Sequence, residues 1–153
     1  MIRIEALELD HANEAIDLVI LLLKELADDP GRVNLLDRGK IIDDWTAHPD
    51  RFQVFVARTD TDVVIGIITV VECFAIYAGG AFGIINELYV APDWRSKAVG
   101  RQLLDEVKNS ARSCGWQRLD VTAPAGEQWQ RTVRFYEREG FTCTGPKLKF
   151  LVT

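Results

Sequence analysis

The segment IINELYVAPDWRSKAVGRQLL, Ile84 to Leu104, holds two different side-chain periods on either side of a turn. Through Val90 it is rich in β-branched and aromatic residues and reads as a buried strand, interrupted by a single carboxylate at Glu87. Pro92 ends that strand. Val99, Leu103, Leu104, Val107 and Ala111 then recur at helical spacing, which predicts a helix from near Ser96 until Gly115 stops it. The turn between them carries Arg95, Ser96, Lys97, Gly100 and Arg101. Free backbone N–H groups and cationic side chains are thereby gathered at the positive end of a helix dipole, a place suited to phosphate.

Upstream of this unit, Ile2 to Glu8 alternates as a first strand, and a helix follows with Asp10 as its cap. Its apolar stripe is Ile16, Val19, Ile20, Leu23 and Leu26, widened by Leu18, Leu21 and Leu22 and closed by Asp28-Asp29-Pro30-Gly31. A second helix is expected over Asp37 to Ala47, ended by His48-Pro49. Phe52, Val54 and Val56, with the run from Val63 to Phe74, form an antiparallel hairpin around Thr59 to Asp62. Gly79-Gly80 turns the chain into the opening strand. Downstream, Arg118 to Ala123 reads as a short strand and Glu127 to Glu139 as a helix stopped by Gly140. Phe141 to Thr144 and Leu148 to Val152, joined across Gly145-Pro146, are predicted to close the sheet as a last hairpin. The class is α+β: a central mixed, mostly antiparallel sheet flanked by about four helices, in which only crossovers through helices are parallel.

The 153 residues make one domain, 1–153, the default for this length. With 48% hydrophobic and 27% charged residues and no apolar run long enough to span a bilayer, the chain is read as neither membranous nor disordered. Glu5, Glu8, Asp10 and His11 break any leader-like pattern, and a cytoplasmic location is expected. A formal charge of −5 argues against nucleic acid as the main partner. Cys73, Cys114 and Cys143 are odd in number, widely spaced and without nearby zinc-ligand partners, so free, partly buried thiols and no metal site are expected.

Three motifs together resemble the GNAT superfamily of acyl-CoA-dependent N-acyltransferases: Leu88 to Arg95 (LYVAPDWR), Arg95 to Gly100 (RSKAVG) and Arg134 to Phe141 (RFYEREGF). The resemblance is densest from Ile84 to Phe141, and the element order fits it over the whole chain. It implies that acetyl-CoA is the co-substrate, with its pyrophosphate against Arg95, Ser96, Lys97, Ala98, Val99, Gly100 and Arg101. This agrees with the anion site already argued from the helix terminus. It also implies that the pantetheine arm runs beside Leu88, Tyr89 and Val90 like an added strand. Amide formation needs a neutral amine, and the resemblance places Glu87 as the base that takes its proton. It places Tyr136 as the hydroxyl that meets the departing thiolate. Against these stand an ordinary solvated carboxylate for Glu87 and a core aromatic for Tyr136.

Two positions depart from the family pattern. Ala98 stands where glycine is usual, and Trp129 where an asparagine often contacts the pantetheine region. The alanine is expected to be tolerated, and Trp129 is kept among the CoA-site residues as a bulky wall against donor or acceptor in place of the asparagine contact. These departures keep open a non-catalytic acyl-CoA-binding or sensing module as the alternative to an N-acetyltransferase acting on a primary amine, small molecule or protein. A nucleotide-binding turn is disfavoured, because neither a P-loop ending nor a three-glycine dinucleotide turn is present. Asp28 and Asp29 either attract a cationic acceptor or only end the first helix; Tyr77 and Phe82 either line an acceptor pocket or pin a hairpin. Arg131, Arg134 and Arg138, interleaved with Glu127, Glu137 and Glu139, read as a solvated helix face. Cys143 lacks a nearby histidine and reads as a small strand residue, and His11 and His48 as helix-boundary residues. The family resemblance allows a homodimer.

Overall fold

The structure is a computed structural model describing residues 1–26, 33, 36–124 and 126–152. Strand β1 (Arg3–Ala6) leads through a short 3-10 turn at Leu9–His11 into helix α1 (Ala12–Leu26). Helix α2 (Arg38–Ala47) precedes strands β2 (Phe52–Arg58), β3 (Val64–Ala75) and β4 (Gly80–Val90). Helix α3 (Val99–Cys114), strand β5 (Leu119–Val121) and helix α4 (Gln130–Arg138) follow. The sheet order is β1-β2-β3-β4-β5. Every neighbouring pair is antiparallel except β4 and β5, which are parallel because α3 carries the chain back across the sheet between them. This is the mixed, mostly antiparallel α+β architecture that the sequence implies.

Strand alternation divides the core between the two faces of the sheet. Phe55, Ala57, Ile68, Val70 and Ile85 pack against Val99, Leu103, Leu104, Val107 and Ala111, the α3 stripe read from the sequence. Val54, Val56, Ile67 and Tyr89 pack on the opposite face against Ala12, Ala15 and Leu18 of α1 and Trp45 of α2. Two glycines allow close approach of α3 and the segment that follows it. A Cβ at Gly66 would lie 3.1 Å from Leu103, and one at Gly83 only 2.6 Å from the Trp116 ring. The indole of Trp116 fills that gap and donates to Glu72 Oε2 at 2.9 Å.

Three boundaries differ from the sequence expectations. Asp10 does not cap α1, because the 3-10 turn intervenes; Asp37, by contrast, caps α2 by accepting from the Lys40 N–H at 3.1 Å. Helix α3 begins at Val99 and not near Ser96, because Ser96 (φ 61°) and Ala98 (φ 64°) are both left-handed and cannot continue a helix. The closing hairpin over Phe141–Thr144 and Leu148–Val152 is not formed, since residues 141–152 carry no strand. Gly140 (φ 98°) ends α4, and the Phe141 N–H turns back to the Tyr136 carbonyl at 3.0 Å. Beyond that turn Leu148, Phe150, Leu151 and Val152 are exposed, and among the described residues β5 is an edge strand. An apolar alternation states a preference for pairing; it does not supply the partner.

Candidate active site

The site begins with an irregularity in the sheet. Strands β3 and β4 pair from Gly66 opposite Val90 to Thr69 opposite Glu87; the register then slips, Val70 faces Ile85, and Asn86 is left as the extra residue of a β-bulge. Strand β5 covers β4 only at Gly83, Ile84 and Ile85. Past the bulge, the β5 side of Glu87–Val90 has no strand beside it among the described residues. The Ala91 N–H donates to the Ile65 carbonyl at 2.8 Å, and the Glu87 N–H to Thr69 Oγ1 at 3.1 Å, both toward β3. Ladder alternation therefore aims the main-chain groups of Leu88 and Val90 away from β3, into the open gap.

That gap is a cleft of about 630 Å³ between the splayed strands, α1, the β4–α3 turn and α4. It is lined by every site residue named from the sequence, namely Glu87, Leu88, Tyr89, Val90, Arg95, Ser96, Ala98, Val99, Gly100, Arg101, Trp129 and Tyr136, with the exception of Lys97. Lys97 turns outward, its Nζ 5.3 Å from the Trp94 ring.

Glu87 is partly buried, and its carboxylate accepts a hydrogen bond from the Thr69 hydroxyl. Burial pushes its pKa up, the Thr69 hydrogen bond pulls it down, and the net direction is upward. Tyr136 is buried between Phe135 and Phe141, with ring centroids 5.2 and 5.5 Å away. Burial pushes its hydroxyl up to about 12, so it remains a proton donor at neutral pH. A carboxylate held closer to neutrality and a protonated phenol thus share one cleft.

The β4–α3 turn forms one end of the cleft. Left-handed Ser96 and Ala98 kink the backbone just before α3, whose first main-chain bond inside the helix runs from the Gln102 N–H to the Ala98 carbonyl at 3.0 Å. The N–H groups of Val99, Gly100 and Arg101 have no place in that ladder and, with the dipole, are free for an anion. A Cβ at Gly100 would point at Phe135, 3.6 Å away, so this glycine thins the wall between α3 and α4.

A family model described as "Acetyltransferase (GNAT) domain" matches residues 50–143, well over half the chain and all of the cleft's strand, turn and α4 components. The chain belongs to the GNAT acetyltransferase family. An IAA acetyltransferase from Azospirillum brasilense is 28% identical over 131 residues, covering 85% of this chain and 80% of its own. Among solved structures, an aminoglycoside acetyltransferase from an uncultured soil metagenomic sample superposes with a TM-score of 0.82 at 16% identity, over 100% of this chain and 99% of its own. The ribosomal-protein-alanine N-acetyltransferase of Brucella melitensis biovar Abortus 2308 gives 0.73 at 17% identity, over 99% and 100%. These structures establish the shared fold. The GNAT acetyltransferase identified here is an acyltransferase, and its family uses acetyl-CoA as co-substrate.

Several side chains in this GNAT cleft take partners that the sequence does not show. The Arg95 guanidinium bonds the Val90 carbonyl through Nε at 2.8 Å and Glu25 of α1 through Nη2 at 2.7 Å, and lies 5.6 Å from the Tyr89 ring centre. It ties the turn to α1 and the open edge, leaving less of its charge for a phosphate. Arg131, read as part of a solvated face, instead lines the cleft and donates to Ser96 Oγ. The signal was its i, i+4 relation to Phe135, which puts both on the inward side of α4. Trp129 occupies the start of α4 and lines the cleft, as expected of a wall. Thr69 carries no sequence signal, since a threonine inside an apolar strand is ordinary.

Tyr77 stacks near Phe82 at 6.1 Å and under Arg118 at 5.0 Å, away from the cleft lining, and so pins the hairpin. Asp28 and Asp29 lie outside the described residues. Of the three cysteines expected to be partly buried, only Cys73 is; Cys114, the last residue of α3, and Cys143, in the terminal segment and not in a strand, are exposed. His11 lies on the surface beside Glu14, and His48 ends α2. Among the described residues no cluster of His, Cys, Asp or Glu could hold a metal, and no helix is long and apolar enough to cross a membrane.

Proposed function

We propose that this protein transfers the acetyl group of acetyl-CoA to a primary amine by direct attack within a ternary complex. The observation that carries this reading is the coincidence of the Leu88–Val90 edge, beside which no strand runs among the described residues, with Glu87 and Tyr136 in one cleft. The main-chain groups of Leu88 and the N–H of Val90 suit the amides of an extended pantetheine arm, the Val90 carbonyl being held by Arg95. The first-turn N–H groups of α3, with Arg101 and Arg131, suit its phosphates. Residues fit the co-substrate at both ends.

Glu87, poised by burial, accepts the proton of the incoming ammonium directly or through one water, so that a neutral amine reaches the thioester carbonyl. The Tyr136 hydroxyl donates to the sulfur as the carbon–sulfur bond breaks, which stabilises or protonates the leaving thiolate. Both reactants are held in one cleft, so orientation contributes alongside proton transfer. The α1 side, lined by Leu22, Glu25 and Leu26, is the wall nearest the face of β4 that bears Glu87 and is where the acceptor enters.

The soil metagenomic neighbours act on aminoglycosides by their names, one having been solved with sisomicin bound. Polyamines, amino acids, aminoglycosides and protein N-termini therefore make the first panel. The test is release of free thiol from acetyl-CoA across that panel, with Glu87→Gln run in parallel. Turnover on at least one amine, reduced about 100-fold or more in Glu87→Gln, is expected. Full turnover by Glu87→Gln at every pH would remove Glu87 as the base.

A further inference from the structure

We infer that Thr69 is a positioning residue for acetyl transfer: its buried hydroxyl grips both the main chain and the carboxylate of Glu87 and fixes where that carboxylate points in the cleft. The inference rests on Glu87 acting as the base.

Thr69 is only 2% exposed and stands on β3 beside Ile67, Ile68 and Val70, none of which reaches water. A hydroxyl in such surroundings is costly unless it is hydrogen-bonded. Both bonds here go to one residue across the sheet. Oγ1 accepts from the Glu87 N–H at 3.1 Å and donates to Glu87 Oε2. The register slips immediately after this pair, so the usual ladder geometry for the Glu87 N–H is lost and the threonine hydroxyl takes the place of a main-chain acceptor. One side chain therefore satisfies the bulge that opens the strand edge and, through its proton, holds the base. A purely structural role needs only the first of these bonds.

The other charged side chains lining the cleft are Glu25, Arg95, Arg101, Arg131, Arg138 and Glu139. Glu25 of α1 is paired with Arg95 of the turn at 2.7 Å, and Arg101 of α3 faces Glu139 at 3.8 Å. Arg131 of α4 bonds Ser96. Tyr89 on β4 and Tyr136 on α4 both have hydroxyls pushed up by burial and stay neutral. Thr69 is thus the partner that opposes the burial of Glu87, favouring its ionised form.

The experiment compares Thr69→Val and Thr69→Ser with wild type on the full chain. The first readout is the midpoint of the Glu87 carboxyl carbon in a ¹³C NMR titration, and the second is the pH profile of kcat on an accepted amine. In Thr69→Val the midpoint is expected to move to higher pH and kcat at neutral pH to fall about tenfold or more, with the KM for acetyl-CoA changed less than about twofold. Thr69→Ser restores both. Should the valine variant not fold, Thr69→Cys, of similar size with a weaker donor, is expected to give an intermediate shift. Wild-type titration and turnover in Thr69→Val, or in Thr69→Cys where that is the variant used, overturns the inference, as does failure of serine to rescue. A slow Glu87→Gln with a normal Thr69→Val overturns Thr69 alone, whereas a fully active Glu87→Gln overturns the base assignment beneath it.

Discussion

Replacing Ala98 with glycine is expected to stabilise the protein even though it removes a methyl group. Ala98 sits at φ 64°, ψ 12°, in the left-handed region, as the residue before α3, and makes no side-chain capping bond. An L-residue there costs about 1–2 kcal/mol, from which the extra freedom of glycine in the unfolded chain subtracts about 0.4–1 kcal/mol. The net gain is about 1 kcal/mol, equivalent to a rise of roughly 2–4 °C in Tm for a domain of this size. Gly115 provides the mirror test: it ends α3 at φ 76°, and a Cβ there meets nothing within 4 Å, so Gly115→Ala should lose a similar amount through backbone strain alone. Calorimetric or circular-dichroism melts of the two variants read both signs. CoA titration of Ala98→Gly should show affinity equal to or tighter than wild type, because the turn keeps its shape and loses a methyl. A lower Tm for Ala98→Gly, with Gly115→Ala destabilised as expected, would refute the claim that Ala98 stores strain.

Glu87→Gln should be more stable than wild type at neutral pH. Burial raises the Glu87 pKa in the fold, so its stability contribution is fully present below the ordinary carboxylate range and is lost as pH rises through the raised value. Urea melts should show the advantage of Gln shrinking as pH falls into the acid range. Tyr136→Phe keeps the packing against Phe135 and Phe141 and should lower turnover on an accepted amine by about 10²-fold with little change in Tm, whereas unchanged kcat would argue for a core aromatic. Arg131→Ala should weaken CoA more than it weakens a pantetheine fragment lacking the phosphates, and equal losses in calorimetry would assign it a structural role. Gly83→Ala presses a methyl into the Trp116 ring, 2.6 Å away, and should cost about 1–3 kcal/mol, visible as a fall in Tm.

The site was legible where chemistry and spacing are local. Pro92, the basic turn and the α3 stripe are read from adjacent residues, and Glu87 and Tyr136 enter through motifs that the family resemblance supplies. The partners of those residues were not legible. Arg95 finds Glu25 across 70 residues, and Thr69 finds Glu87 across 18. Arg131 reaches Ser96 only because α4 packs beside the turn. A sequence gives the charge on such a side chain but not the distance to its counterpart.

Local composition by itself determined the order of strands and helices through α4, the apolar face of α3 and the basic turn before it, because backbone preference and side-chain period act within a few residues. Tertiary structure alone decided the bulge at Asn86, the open edge beyond it, the union of Glu87 with Tyr136 in one cleft, and the unpaired segment where a closing hairpin was expected. Each of these depends on pairing or packing between segments distant in the chain. Register and burial become defined only when the partner is in place.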